Sequence, residues 1–153
     1  PDRRARPARW EYIGLVKQAL RIPVFGNGNV FDPEGCLRML RRTGCDGVSL
    51  GRIAVARPWV FAEWCGGFRP GPDTHRETVY ALLDLTAAHF EDKAAALRMR
   101  KFIFYFAANF RFGHSLFRRV QAATRLAKIR AALDAFFAVP PELSDPPNLA
   151  FLQ

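Results

Sequence analysis

The chain has 153 residues, 50% of them hydrophobic and 24% charged, enough to bury a core as one ordinary domain or two small ones. Lys and Arg outnumber Asp and Glu by 23 to 14, and the resulting +9 favours polyanionic partners such as nucleic acid or an anionic membrane surface. A disordered tail is excluded by this composition, and no apolar run approaches the ~20 residues of a bilayer span.

The N-terminal stretch Pro1-Asp2-Arg3-Arg4-Ala5-Arg6 has no initiator Met and no apolar segment behind its charges, so it is expected to be part of a longer chain and not a signal peptide. Trp10, Ile13, Val16 and Leu20 fall at helical spacing, and the short run Ile22-Pro23-Val24-Phe25 ending at Gly26 reads as a buried strand. Asp32 then offers an N-cap, Pro33 suits the first helical position, Leu37 and Leu40 carry the helix, and Gly44 supplies its left-handed end. Asp46-Gly47-Val48-Ser49-Leu50 reads as a second strand, ending in Gly51-Arg52. Helix, strand, helix, strand with short connections demands a parallel sheet covered by helices. Two strands cannot complete one, and a (β/α)₈ barrel takes eight such units in ~250 residues, so the remaining strands are expected upstream or in another chain.

Gly66-Gly67-Phe68-Arg69-Pro70-Gly71-Pro72 is a run of breakers that marks a linker. Beyond it the chain reads as helices only. Thr74-His75-Arg76-Glu77 has the capping-box pattern ahead of Val79, Leu82, Leu83 and Phe90. A second helix is expected over 93–109, apolar on all sides through 102–108, with Gly113 breaking it. One or two more run over 115–137 with Phe117, Val120, Leu126, Leu133 and Phe136 on the buried side. The expected division is thus 1–65 for the last part of the barrel, 66–73 for the linker, 74–138 for a helical bundle domain, and 139–153 for a Pro-rich extended tail. The fold class is α/β followed by all-α.

Two turns carry the local signal. Gly26-Asn27-Gly28-Asn29 follows one parallel strand and Gly51-Arg52 the next, where small residues let backbone N–H groups approach an anion and Arg52 adds a bidentate fork. Ordinary strand-to-helix turns are the alternative; their recurrence on consecutive strands, with Arg in the second, favours a cofactor phosphate. Between Lys93 and Leu133 stand Lys93, Arg98, Arg100, Lys101, Arg111, Arg118, Arg119, Arg125, Lys128 and Arg130 with no Asp or Glu. A one-sign surface of that size costs self-repulsion unless an anionic partner neutralises it. If the third helix is continuous, Arg118, Gln121, Arg125 and Lys128 form a stripe suited to RNA phosphates; a solubilising basic face or a membrane-facing one are the other readings. No catalytic constellation is found. His75, His89 and His114 are expected to be exposed or capping side chains, Cys36, Cys45 and Cys65 have no metal-ligand spacing or activating neighbour, and a reducing, cytoplasmic setting fits their odd number.

The segments Ile22–Val30, Thr43–Arg52 and Arg57-Pro58-Trp59-Val60-Phe61, with the basic positions Lys93, Arg100-Lys101 and Phe117-Arg118-Arg119, resemble the tRNA-dihydrouridine synthases, most closely the bacterial B-type, over 10–137. The similarity is to the last third of their TIM barrel and to their helical C-terminal domain. It implies an FMN-dependent oxidoreductase that reduces the 5,6 double bond of uridines in tRNA, with NADPH as reductant, acting as a monomer when full length, with no membrane and no metal. It also implies FMN-phosphate contacts from Asn27, Gly28, Asn29, Gly51 and Arg52, while the acid-free basic run points to RNA contacts from Lys93, Arg98, Arg100, Lys101, Arg118, Arg119, Arg125 and Lys128. Asn29 stands where the family usually has Asp, and Ser49 where it usually has Met. The family's proton-donating cysteine lies upstream, so no catalytic residue is expected in this chain, which alone is expected to be inactive. The competing expectations are an RNA-binding module or inactive fragment with a vestigial barrel remnant, and another phosphate-binding barrel oxidoreductase.

Overall fold

The computed structural model describes residues 8–152; the N-terminal reading of Pro1–Arg6 and the last residue of the expected tail lie outside them. The chain divides into two compact units, one running to Ala54 and one over Val55–Leu152.

The first unit is a small α/β layer. Helix α1 (Trp10–Ala19) precedes strand β1 (Phe25–Asn27), helix α2 (Pro33–Thr43) and strand β2 (Gly47–Ser49). The strands pair in parallel with Phe25 opposite Gly47, Gly26 opposite Val48 and Asn27 opposite Ser49, so their C-terminal ends lie side by side. Local signals fix α2 at both ends. Asp32 accepts from the Gly35 N–H, Pro33 starts the helix, and Gly44 ends it at φ 66°. Val30, Met39 and Cys45 form the buried centre, with Trp10, Ile13, Cys36 and Leu40 against it. Gly26 is required there because a Cβ would stand 2.5 Å from the Met39 sulfur. Leu37 lies within α2 as expected but is exposed, since the face that meets the strands runs through Gly35, Met39 and Thr43 at four-residue spacing. Strand β1 also begins three residues later than expected, because Pro23 has no N–H to give to a ladder.

Two short helices, α3 (Arg52–Ala56) and α4 (Val60–Gly66), were not expected from periodicity, being shorter than the window that reveals it. The second unit continues with α5 (Pro72–His89), α6 (Asp92–Phe106), α7 (Gly113–Gln121) and α8 (Leu126–Phe137). These four helices enclose one apolar core containing Val79, Leu83, Met99, Ile103, Phe106, Leu116, Ile129 and Leu133. Trp59 belongs to the same core, so the chain enters this unit before the breaker run at 66–72, of which Gly66 ends α4, Pro72 begins α5 and 67–71 hold no regular element. Helix α5 starts two residues ahead of Thr74, with Pro72 at its first position, and the Thr74 hydroxyl accepts from the Gly71 N–H. The 93–109 helix ends at Phe106, followed by a 3₁₀ turn over Ala107–Asn109. Gly113 opens α7 and does not end α6.

The segment after Val139 is not simply extended. Leu143 bridges to Phe110, the Ser144 and Asn148 N–H groups donate to the Asn109 and Ala108 carbonyls, and Phe151 and Leu152 are buried. Its prolines suggested a solvated chain, but the Ala108 and Asn109 carbonyls after α6 supply partners and the buried Phe151 and Leu152 supply an anchor. Among the described residues no helix is long and apolar enough to cross a membrane, and no group of His, Cys, Asp and Glu is placed to hold a metal ion.

Candidate functional site

The pairing of β1 with β2 brings the two expected turns together in the first unit. Asn27, at the end of β1, donates from Nδ2 to the Ser49 carbonyl across the strand ends at 3.1 Å. Gly28 lies at φ 122°, where a Cβ would come within 2.5 Å of Ala8, and its carbonyl accepts from the Trp10 indole at 2.9 Å. Asn29 follows in the left-handed region at φ 54°, a conformation Asn tolerates better than most side chains. Its Oδ1 accepts from Arg52 Nη2 at 3.1 Å, while the Arg52 guanidinium lies 5.2 Å from the centre of the Phe31 ring. All five positions named from the sequence therefore meet at one end of the sheet. The Phe31 ring and the Trp10 indole belong to the same construction and were not identified from the sequence, since neither bears a motif.

The electrostatics suit an anion. Arg52 has no carboxylate partner among the described residues; it donates to the neutral Asn29 amide oxygen, which orients the guanidinium without cancelling its charge. Gly51 has open space where a Cβ would stand, leaving the backbone beside Arg52 approachable. A phosphate group fits such donors: one fixed cation, an open glycine, and a second glycine held in a conformation closed to other residues.

The basic segment is sorted differently by the structure. Arg125 is the N-cap residue of α8 and pairs with Asp92 at 3.0 Å, whose other oxygen accepts the Leu126 N–H at 2.9 Å. That backbone bond first, and Arg125 second, hold the Asp92 carboxyl below its ordinary pKa. Arg130 pairs with Asp84, and Arg111 with Glu142 at 2.9 Å. Arg98 covers the Phe90 ring at 4.1 Å, and Arg100 donates to the Gln121 carbonyl at 3.4 Å. Lys93, Lys101, Arg118, Arg119 and Lys128 are exposed and have no ion pair among the described residues. The single stripe through Arg118, Gln121, Arg125 and Lys128 does not form as one helix face, because the chain leaves helical conformation between Gln121 and Leu126.

His75, expected to be exposed or capping, is 1% exposed. It shares the buried face of α5 with Val79, Leu83 and Thr86, donates from Nδ1 to the Gly71 carbonyl at 2.7 Å, and packs against Trp59, Phe106 and Phe110. Burial first, and the Arg57 charge as a smaller cause, push its pKa below the ordinary histidine value, against the Gly71 bond. The neutral ring is therefore the folded form. Its stabilisation is complete above pH ~6.5 and is lost as pH falls below that value, by at most about 1.4 kcal/mol per pH unit. The urea midpoint should fall from pH 7 to pH 5, and the slope of that fall should shrink in His75→Phe; equal slopes in both proteins would refute the assignment.

With these features in place, comparison with known proteins is decisive. The family model described as Dihydrouridine synthase (Dus) matches residues 2–135. This chain belongs to the dihydrouridine synthase family. A probable tRNA-dihydrouridine synthase of Mycobacterium tuberculosis is 36% identical over 135 residues, covering 83% of this chain and 35% of the relative. The tRNA-dihydrouridine synthase B of Xanthomonas axonopodis pv. citri is 33% identical over 153 residues, covering 90% of this chain and 45% of the relative. That of Pseudomonas putida is 48% identical over 56 residues, 37% of this chain and 17% of the relative. The chain thus spans less than half the length of these curated relatives.

Proposed function

We propose that this chain is the C-terminal part of an FMN-dependent tRNA-dihydrouridine synthase, an oxidoreductase that converts uridine in tRNA to 5,6-dihydrouridine with NADPH as reductant. The observation that carries the reading is the meeting of Asn27, Gly28, Asn29, Gly51 and Arg52 at one sheet end, in a chain of this family. Residues up to 65 are proposed as the last portion of a TIM barrel, 66–73 as the linker, and 74–138 as the helical tRNA-binding domain. The exposed apolar side chains Leu15, Val16, Leu20, Ile22 and Phe25 in and after α1 support the barrel assignment, since they suit a layer covered by further strands and helices. The proposed setting is cytoplasmic, and the proposed full-length enzyme is a monomer.

When bound, reduced FMN would supply a hydride to the uracil ring, and the accompanying proton would come from a donor outside this chain. Arg52 would hold its phosphate, with the open backbone at Gly51 and the Asn29 amide fixing the approach. Asn27 keeps the two strand ends together so that the donors converge. Lys93, Lys101, Arg118, Arg119 and Lys128 would take the RNA backbone, since none of them has an ion pair among the described residues. Arg98 and Arg100 are proposed contacts whose cations are only stacked or carbonyl-bonded, and Arg125 would reach RNA while still paired to Asp92.

The test is tRNA binding to the 153-residue chain across a salt series. Affinity should fall steeply from 50 to 200 mM salt, and the combined Lys101→Ala, Arg118→Ala and Arg119→Ala variant should reduce the log–log slope by about 2–3. Salt-independent binding, or an unchanged slope in the variant, would refute the RNA-contact assignment. Incubated alone with reduced FMN and unmodified tRNA, the chain should yield no dihydrouridine; product formation would overturn the placement of the proton donor outside it.

A further inference from the structure

The second unit contains a cleft that neither the cofactor turns nor the basic helices account for. Its volume is about 430 Å³, within the range of small-ligand sites, and its walls include Arg57, Glu63, Phe68, Arg69, His75 and Asp145. Arg57 is the organising group. It is 6% exposed, with Nε donating to Asn109 at 2.9 Å and Nη1 to Glu63 at 3.1 Å. Its third nitrogen is held far more loosely: Nη2 has only the Ser144 carbonyl and the Asp145 carboxylate, each at 3.5 Å. Both of those partners line the cleft, so the under-used edge of the guanidinium is the edge on its wall. Arg69 brings a second cation from the 67–70 segment, unpaired among the described residues, and Phe68 leaves an exposed ring beside it.

We infer that this cleft binds a phosphorylated nucleotide, with phosphate on Arg57 Nη2 and Arg69 and the base stacked on Phe68. Two carboxylates share the wall, and Glu63 Oε2 has no hydrogen-bond partner among the described residues, so the phosphate seats on the Nη2 side of Arg57 and not beside Nη1. Glu63 spends Oε1 on Arg57 Nη1, and Asp145, with its side chain 82% exposed, holds its long contact as a stand-in that an incoming phosphate displaces. Arg57 Nη2 gains from exchanging two contacts at 3.5 Å for one shorter charge-assisted bond to a phosphate oxygen. An exposed ring gains most from a flat aromatic partner, which every base provides. The required ligand therefore combines a phosphate with a planar base, either as a free nucleotide or as a nucleotide within an RNA strand.

Calorimetric titration of the 153-residue chain with AMP, adenosine and the dinucleotide pApA tests this. AMP should bind, and adenosine should bind at least about tenfold more weakly. Phe68→Ala and Arg69→Ala, both at exposed positions, should each weaken AMP about fivefold or more, whereas Asp145→Asn should strengthen it about threefold by removing the competitor. Tighter binding of pApA than of AMP would identify the nucleotide as part of a strand, and equal or weaker binding would identify a free ligand; both support the site. Absence of AMP and pApA binding, equal affinity for adenosine, or unchanged affinity in Phe68→Ala and Arg69→Ala together would overturn it.

Discussion

Gly113→Ala should destabilise the second unit by about 3 kcal/mol or more, visible as a lower urea midpoint with an unchanged denaturant slope. A Cβ at Gly113 would stand 2.0 Å from the Ala107 carbonyl oxygen and 2.8 Å from its carbon. Those atoms are backbone in the 3₁₀ turn between α6 and α7, so they cannot swing aside as a side chain would. The turn is itself pinned: Asn148 and Ser144 donate to its carbonyls, and Ala107, Ala108 and Asn109 are buried. Relief therefore requires α7 to move away from the core residues Leu116 and Val120 that it contributes. Gly44→Ala provides the scale. Its Cβ would meet nothing within 4 Å, so only the left-handed backbone at φ 66° opposes it, at about 1 kcal/mol. Equal losses in the two variants would show that close approach is not what Gly113 serves.

That contrast also separates what sequence made legible from what it did not. The cap and stop of α2 were readable because Asp32, Pro33 and Gly44 act on their own backbone. The convergence of Asn27, Asn29 and Arg52 was readable as well, since two parallel strands joined through a helix must place their C-terminal turns on one side. Gly113 looked like a helix breaker because glycine is locally permissive; its actual role, admitting Ala107 at close range, depends on a chain reversal that spacing does not encode. His75 was misplaced for a similar reason. A histidine near a helix start resembles a cap, whereas its burial follows from the Trp59, Phe106 and Phe110 rings that other segments bring to it. The basic run was legible as composition but not as geometry. Asp84, Asp92 and Glu142 all lie outside the acid-free stretch and still neutralise three of its arginines.

Asn109→Leu should cost about 3–5 kcal/mol, although it removes no charge and keeps the same number of side-chain heavy atoms. Asn109 is fully buried; its Oδ1 accepts from Arg57 Nε at 2.9 Å, and its Nδ2 donates to the Ala56 and Phe106 carbonyls at 2.8 and 3.0 Å. Leucine would leave Arg57 Nε short of an acceptor and take the side-chain donor away from the Ala56 and Phe106 carbonyls. The remaining ion pair with Glu63 does not compensate, because it engages Nη1 and leaves Nε without an acceptor. Arg57→Met alone strands the Asn109 and Glu63 oxygens and should be costly for the same reason. The double variant should lose less than the sum of the two, with a coupling of about 1–3 kcal/mol, since the buried cation and its acceptor leave together. Arg111→Ala is the reference: its pair with Glu142 has both side chains more than half exposed and should yield under about 1 kcal/mol. Chemical denaturation of the four proteins decides the point. Strict additivity of Arg57→Met and Asn109→Leu would mean that the two side chains stabilise the unit independently, and that no shared network ties the α3–α4 corner to the turn after α6.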